Sequence, residues 1–449
     1  MKRKPAKQAA SPLRHFRRHW LGLLASGLLI AAGFGARQVW RVTAPPPPAV
    51  NTAGFDPVIA AAIAKARDAI RRSPRSAEAR GRMGMVLLAH EVRAEARVCF
   101  AQASAFAPGK PRWTYFLGLT QLVDDPMGAA TNFDRAVRLF PESEFVPRLR
   151  LADTLLSLGR LEEAEAHYRH VWQRQPTSGW AALGLGKLAN ARDRSGEATN
   201  FLSAATNDPS TRRAAYRLLL NVHQRLGRAN EAGQLARTLA ELPNDKPFPD
   251  TMLAEVQALK TGEAAWIELS DEWIKTGRAA EAAQLLEKTL QTFPISDRAM
   301  FFLGRARLRL GDAEGADAIL MRAIALAPGS VEAQMQLGVT RLSRGRAKEA
   351  QPCFRAAIQA KPNLAEGWFN LALSHGGEIG SRSEAMAAFR EAIRLKPSFV
   401  EAYLGLAVVL RAEGQNNAAA NELRRALSLQ PEAPLRGKLL DQLKLAERR

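Results

Sequence analysis

Downstream of residue 56 the apolar and polar positions of the chain recur with a period close to 34 residues, and prolines mark each return. Pro74, Pro108, Pro141, Pro176, Pro209, Pro243, Pro294, Pro328, Pro362, Pro397 and Pro431 are separated by 34, 33, 35, 33, 34, 51, 34, 34, 35 and 34 residues. Twelve residues before the proline stands alanine in nine of eleven cases (Ala62, Ala96, Ala129, Ala164, Ala282, Ala316, Ala350, Ala385, Ala419). Eight before it stands a large apolar side chain in ten, among them Phe100, Phe133, Tyr168, Phe354 and Phe389, and five before it stands alanine in eight. Small, large and small residues at steps of four and three share one stripe of an α-helix. The small ones let a neighbouring backbone approach and the large one fills the space between. Proline then ends the helix, because it lacks the N–H and crowds the preceding turn.

Seventeen residues before the proline lies a turn. Gly159, Gly277, Gly311, Gly345, Gly380 and Gly414 occupy that slot and Gly227 misses it by one; a left-handed C-cap there favours a residue without a Cβ. The stretch before each turn carries its own apolar and small pair, as at Met83-Gly84, Leu151-Ala152, Leu303-Gly304, Leu337-Gly338, Leu371-Ala372 and Leu406-Ala407. The period therefore predicts antiparallel helix pairs. Residues 179–245 fit least well, with Glu197 and Glu231 where a small residue belongs. The single irregular step is one and a half periods long and falls at 244–262, where NDKPFPDTMLAEVQALKTG predicts one extra helix in place of a pair.

In order and spacing this resembles the tetratricopeptide repeat family, most closely over GWFNLALSHGGEIGSRSEAMAAFREAIRLKP at 367–397, which has one extra residue in its turn. The resemblance implies an all-α fold: a right-handed superhelical solenoid of about ten helix-turn-helix repeats. The expected plan is a capping helix at 56–76, a first array at 77–245, an extra helix at 246–262, a second array at 263–433 and a closing helix at 434–449. The break at 246–262 is open to two readings, a hinge between arrays or a kink in one superhelix.

The first fifty residues follow a different pattern. Seven Lys or Arg lie within residues 1–19, an uncharged apolar stretch runs from Leu21 to Ala36, and only Arg37 and Arg41 follow. Trp20 and Trp40 are twenty residues apart, about 30 Å along a helix, the thickness of a bilayer core. Residues 20–40 are thus expected to form one transmembrane helix with an interfacial Trp at each end. The excess of basic residues on the first side predicts a cytoplasmic tail at 1–19 and repeats across the membrane; together with the resemblance, such an anchor implies a bacterial inner membrane with the repeats in the periplasm. A cleaved signal peptide shares the basic-then-apolar order. Its cleavage sites are poor: after Ala36 bulky Phe34 takes a position that should be small, and after Ala44 comes Pro45. The Pro45–Pro48 run within 41–55 reads as a stiff spacer.

Composition then adjusts the picture. Over 449 residues, 47% apolar and 24% charged exclude a disordered chain. The net charge of +20 suggests nucleic acid at first sight, but nine of those units sit in the first fifty residues. Arg305, Arg307 and Arg309 spread around their helix and form no basic stripe with stacking aromatics, so nucleic acid is not the expected partner. No GxSxG or HExxH occurs, and Gly184-Leu185-Gly186-Lys187 fails as a phosphate loop because Leu188 replaces the required Ser or Thr. His167 and His170 lack a third metal ligand, and Cys99 and Cys353 stand at equivalent packing positions, so neither pair predicts chemistry. No enzyme activity, cofactor, metal or small-molecule substrate is expected.

The resemblance places a partner groove on the first helices. Its positions here are Met85 and Leu88, then Tyr115, Leu119 and Leu122, then Leu149 and Leu156; in the second array Phe301 and Arg305, then Met335, Val339 and Leu342, then Phe369 and Leu373, then Leu404, Val408 and Arg411. This lining is apolar with occasional arginine, which implies protein partners that present an apolar or amphipathic segment. The equally bland reading is packing between neighbouring helices. Members of the family this chain resembles that grip a carboxylate tail use a Lys, Asn and Arg set, of which only Asn370 is in register here, so the resemblance does not imply that kind of recognition. The expected function is a membrane-anchored interaction scaffold. The alternatives are an accessory subunit of an envelope enzyme or secretion complex, as in glycan polymerisation or cytochrome maturation, and a soluble cytoplasmic adaptor.

Overall fold

The computed structural model describes residues 44–375 and 379–447. The expected tail at 1–19 and transmembrane helix at 20–40, with Trp20 and Trp40, lie outside the described residues. Among the described residues there are 23 α-helices, one short 3-10 turn and no strand, and no helix is long and apolar enough to cross a membrane. The chain divides into two compact units, the first ending at Lys260 and the second beginning at Thr261.

The first unit opens with α1 (Pro57–Arg72). Five antiparallel pairs follow: α2 (Ala77–Ala89) with α3 (Arg93–Phe106), α4 (Pro111–Gln121) with α5 (Pro126–Leu139), α6 (Val146–Ser157) with α7 (Leu161–Arg174), α8 (Gly179–Ala191) with α9 (Ser195–Ala205), and α10 (Arg212–Arg225) with α11 (Ala229–Glu241). The short α12 (Thr251–Gln257) closes it. The second unit also has five pairs: α13 (Glu263–Lys275) with α14 (Ala279–Thr292), α15 (Asp297–Arg309) with α16 (Ala313–Leu326), α17 (Val331–Ser343) with α18 (Ala347–Ala360), α19 (Ala365–His375) with α20 (Arg382–Leu395), and α21 (Val400–Ala412) with α22 (Asn416–Ser428). It ends on α23 (Ala433–Glu447).

The repeat proline does more than stop a helix. Two residues beyond it, Ser76, Ser178, Ser296 and Ser330 accept the backbone N–H three residues on and so cap α2, α8, α15 and α17. At the far end of the first helices, Gly159, Gly227, Gly277, Gly311, Gly345 and Gly414 take positive φ. Glu91 and Asp193 adopt the same conformation in pairs that lack the glycine. Gly380 departs from expectation: the extra residue in its turn places it in a 3-10 turn, Ile379–Ser381, outside the left-handed region.

The small-large-small stripe is the core. Phe100, Phe133, Tyr168, Phe354 and Phe389 are all but fully buried, with Ala96, Ala129, Ala164, Ala350 and Ala385 beside them. Each such aromatic contributes roughly 1.5–3 kcal/mol by leaving water. Glycines of the first helices admit them: a Cβ on Gly84 would stand 2.7 Å from the Phe100 ring, and one on Gly338 2.5 Å from Phe354. The weak register at 179–245 has a simple cause. Asp193, Ala198, Leu202 and Ala205 hold the turn, small, large and small roles, each one residue later than counting from Pro209 suggests. The proline has slipped by one while the helices kept their spacing.

The proline spacer is not free. Arg80, fully buried, donates to the carbonyls of Pro45 and Pro74 and to the Gln102 side chain, and Gln102 donates in turn to the Pro46 carbonyl at 3.3 Å. Three guanidinium partners for one buried charge staple the start of the described chain onto α2 and α3.

Candidate partner grooves

In the second unit the groove positions fall into rows, one residue per first helix. Val339, Leu373 and Val408 form one row and are 40%, 42% and 41% exposed. Phe301, Met335, Leu342, Phe369, Leu404 and Arg411 beside them are half-buried. Phe369 packs on Phe389 and Phe399, with ring centres 5.8 and 4.8 Å away. The row continues to Arg305, whose guanidinium lies over Phe302 at 5.2 Å and pairs with Asp271 at 2.7 Å. Burial pushes the Asp271 carboxyl up, but Lys275 and Arg305 outweigh it and hold its pKa below the usual value. Arg305 is therefore already neutralised, and Val339, Leu373 and Val408 present aliphatic side chains to solvent.

The equivalent positions of the first unit are covered. Met85, Leu88, Tyr115, Leu119 and Leu149 are buried, Tyr115 completely, while Leu122 and Leu156 are half-buried. The cover is the chain itself. After α11 the backbone reverses, and residues 243–260 lie along the first helices in the order α10, α8, α6, α4, α2. Expectation put a single extra helix at 246–262 in place of a pair. Only Thr251–Gln257 is helical, and the segment fills the groove of the unit that precedes it. Prolines 243, 247 and 249 keep its first half extended.

Each contact is specific. The Asp245 carboxylate accepts the backbone N–H groups of Arg213 and Ala214 at 2.6 and 2.9 Å, an anion at the N-terminus of α10. Phe248 meets Trp180 of α8 edge-on at 4.7 Å, and Arg150 of α6 lies over its ring at 4.4 Å. Asp250 is buried. Its Oδ1 caps α12 by accepting the Leu253 N–H at 2.8 Å, while Oδ2 accepts from the Tyr115 hydroxyl and from Arg150 at 3.2 Å. Burial, then the Asp250 charge, pushes the Tyr115 phenol far above its usual range. Met252 and Val256 enter the same apolar cluster as Met85 and Leu88, and Glu255 pairs with Arg112 at 2.7 Å.

Sequence reasoning missed Phe248, Asp250 and Glu255 as groove residues. The available signal was Asp250 itself, an N-cap residue between a proline-aromatic run and a short apolar-periodic stretch. Asn370 is half-buried beside Phe369. The remaining chemical motifs have packing explanations. Gly184 and Gly186 lie inside α8, where a Cβ would strike Tyr168 and Leu202. His167 and His170 face Arg148 and Arg174 at 3.3 and 3.2 Å, not each other. Among the described residues no group of three or more His, Cys, Asp and Glu side chains gathers as a metal site. Cys99 and Cys353 are buried, and burial pushes the Cys99 thiol up to about 12.

Models of the tetratricopeptide repeat match residues 155–222 and 274–337, 123–179 and 378–434, and 331–364. No curated protein matches the chain. Similar solved structures include MamA, 22% identical over 36% of this chain and 94% of MamA with a TM-score of 0.34. MamA from Desulfovibrio magneticus RS-1 is 20% identical over 37% of this chain and 94% of that one, TM-score 0.36. YrrB, described as a TPR protein with an unusual peptide-binding site, is 18% identical over 40% of this chain and 91% of its own, TM-score 0.36. The repeat spacing, the paired helices and the family matches, which together span more than half of the chain, agree: this protein belongs to the tetratricopeptide repeat family.

Proposed function

We propose that this protein is a membrane-anchored interaction scaffold that holds an apolar or amphipathic partner segment in the groove of its second unit. The observation that carries the reading is the aliphatic row of Val339, Leu373 and Val408, each about two-fifths exposed, while Met85 and Leu119, at equivalent positions of the first unit, are buried. One unit has its groove filled and the other presents it bare. A partner helix with apolar residues at i, i+3, i+4 and i+7 would cover such a row. The anchor rests on the basic tail and the Trp20 to Trp40 stretch, which favour an N-terminus in the cytoplasm and both units beyond the inner membrane. With Arg80 stapling Pro45, only residues 41–44 separate the expected span from the folded body. The anchor would hold the first unit close to the bilayer.

Two measurements test the two parts. A photo-crosslinking residue at position 373 in cells should yield a discrete partner adduct that disappears when Val339→Asp and Val408→Asp are added; the same yield at Val123, an exposed site outside the groove, would defeat the groove reading. An alkaline phosphatase domain fused after residue 449 should be active. Inactivity would place the units on the cytoplasmic side.

A further inference from the structure

We propose that the groove of the first unit is a binding site for a short acidic and aromatic segment, occupied in cis by residues 245–257 and open to a segment of the same chemistry in trans when the cis copy is displaced. The proposal is independent of the reading given to the second unit. It rests on how the segment is held. Only one of its backbone groups reaches the array directly, the Lys246 N–H donating to the Pro209 carbonyl at 3.1 Å. Every other hydrogen bond between the segment and the array involves a side chain, as for a docked peptide. Of residues 243–260, only Asp250, Met252 and Val256 are buried. Phe248 and Leu253 are half-buried, and Thr251, Ala254, Glu255 and Gln257 face solvent. Of the helices beneath, α2, α4 and α8 bury more than half of their residues, whereas this segment offers one face.

The contacts define what the site reads. An aromatic side chain inserts between Trp180 and Arg150. Two residues later an aspartate meets Tyr115 and Arg150 and starts a helix. Apolar side chains four and eight residues after the aromatic, Met252 and Val256, enter the cluster of Met85 and Leu88, and an acidic residue between them pairs with Arg112. Recognition thus combines a desolvated carboxylate, a cation over an aromatic ring and a short amphipathic helix. Because the prolines hold the approach extended, little conformational freedom is lost on docking. The tether supplies an effective concentration on the order of millimolar, so a competitor of equal intrinsic affinity is excluded until the cis copy is weakened.

The test uses the full chain and a fluorescein-labelled peptide with the sequence of residues 243–259. Fluorescence anisotropy should show saturable binding to the Phe248→Ala, Asp250→Ser variant at least ten-fold tighter than to the unaltered chain, and adding Arg150→Ala should abolish it. Equal binding to the variant and the unaltered chain, or binding indifferent to Arg150→Ala, would overturn the proposal. Hydrogen exchange on the unaltered chain covers the case in which the variant fails to fold. The Leu253 and Val256 amides should exchange through a local opening well before those in the middle of α4 and α6. Exchange of all of them together, only on unfolding of the first unit, would make the segment a fixed part of the core and reject the site.

Discussion

Tyr115 and Asp250 are 135 residues apart in sequence and joined by a hydrogen bond in which the phenol donates to a buried carboxylate. The other oxygen of that carboxylate caps α12, and Arg150 supplies the compensating charge. One side chain thus terminates an extended run, starts a helix and fixes both to the groove.

Replacing Asp250 by asparagine keeps the shape and removes the charge. Arg150, with its side chain only 21% exposed, is then left without its carboxylate partner. We expect the first unit to lose about 3–5 kcal/mol. Urea unfolding followed by hydrogen exchange checks this, and the second unit should keep its protection.

Alkaline pH should act on the same contact. Burial first, and then their aspartate partners, raise the pKa of Tyr115 and Tyr168 in the folded chain above the ordinary phenol value. Above about pH 10 the unfolded chain releases these protons while the folded chain keeps them, so each site removes roughly 1.4 kcal/mol of stability per further pH unit. Below pH 10 the contribution is complete. Thermal unfolding of the first unit at pH 9 and 11 should show the fall, and Tyr115→Phe should remove about half of it, leaving the share of Tyr168.

The second unit has an acid counterpart. Asp317 on α16 accepts from Arg341 at 3.0 Å and from Arg346 at 2.7 Å. Burial opposes its ionisation, but the two arginines prevail and hold the pKa below the ordinary carboxyl value. Its stabilisation is present above about pH 3.9 and disappears as pH falls through the lowered folded value. Asp317→Asn should cost about 1.5–3 kcal/mol at pH 7, and the cost should shrink on acidification. Denaturant midpoints at pH 7 and pH 3 measure both.

Glycine substitutions should divide by packing. Gly338→Ala puts a Cβ 2.5 Å from the Phe354 ring, which forces the α17–α18 pair apart at a cost of about 1–3 kcal/mol. Gly233, inside α11, has nothing within 4 Å of the added carbon. Gly233→Ala should stabilise by about 0.5–1 kcal/mol because alanine is the better helix former. Melting temperatures of the two variants should therefore move in opposite directions.

Much of this architecture is legible in the sequence because its physics is local. Prolines, left-handed turns and the Ala-Phe-Ala stripes specify helix pairs within a single period, and neighbours stack on the same stripes. The one-residue slip at Pro209 obscured a register that Ala198, Leu202 and Ala205 preserve. The groove followed different rules. Met85 and Val339 occupy equivalent positions, yet one is 2% and the other 40% exposed. The difference comes from a segment about 165 residues further along the chain from Met85, whose path no local period encodes. Asp250 was readable as a helix start; its partners Tyr115 and Arg150 were not.

The occupied groove also relocates the boundary of the first unit. Counting repeats ends it at Pro243, and a fragment cut there would strip the cover from Met85, Leu119 and Leu149 and present an apolar trench to water. Such a fragment should self-associate, whereas one ending at Lys260 carries its own lid and should stay monomeric. The residues that look like a joint between repeat blocks are the stopper of the block before them.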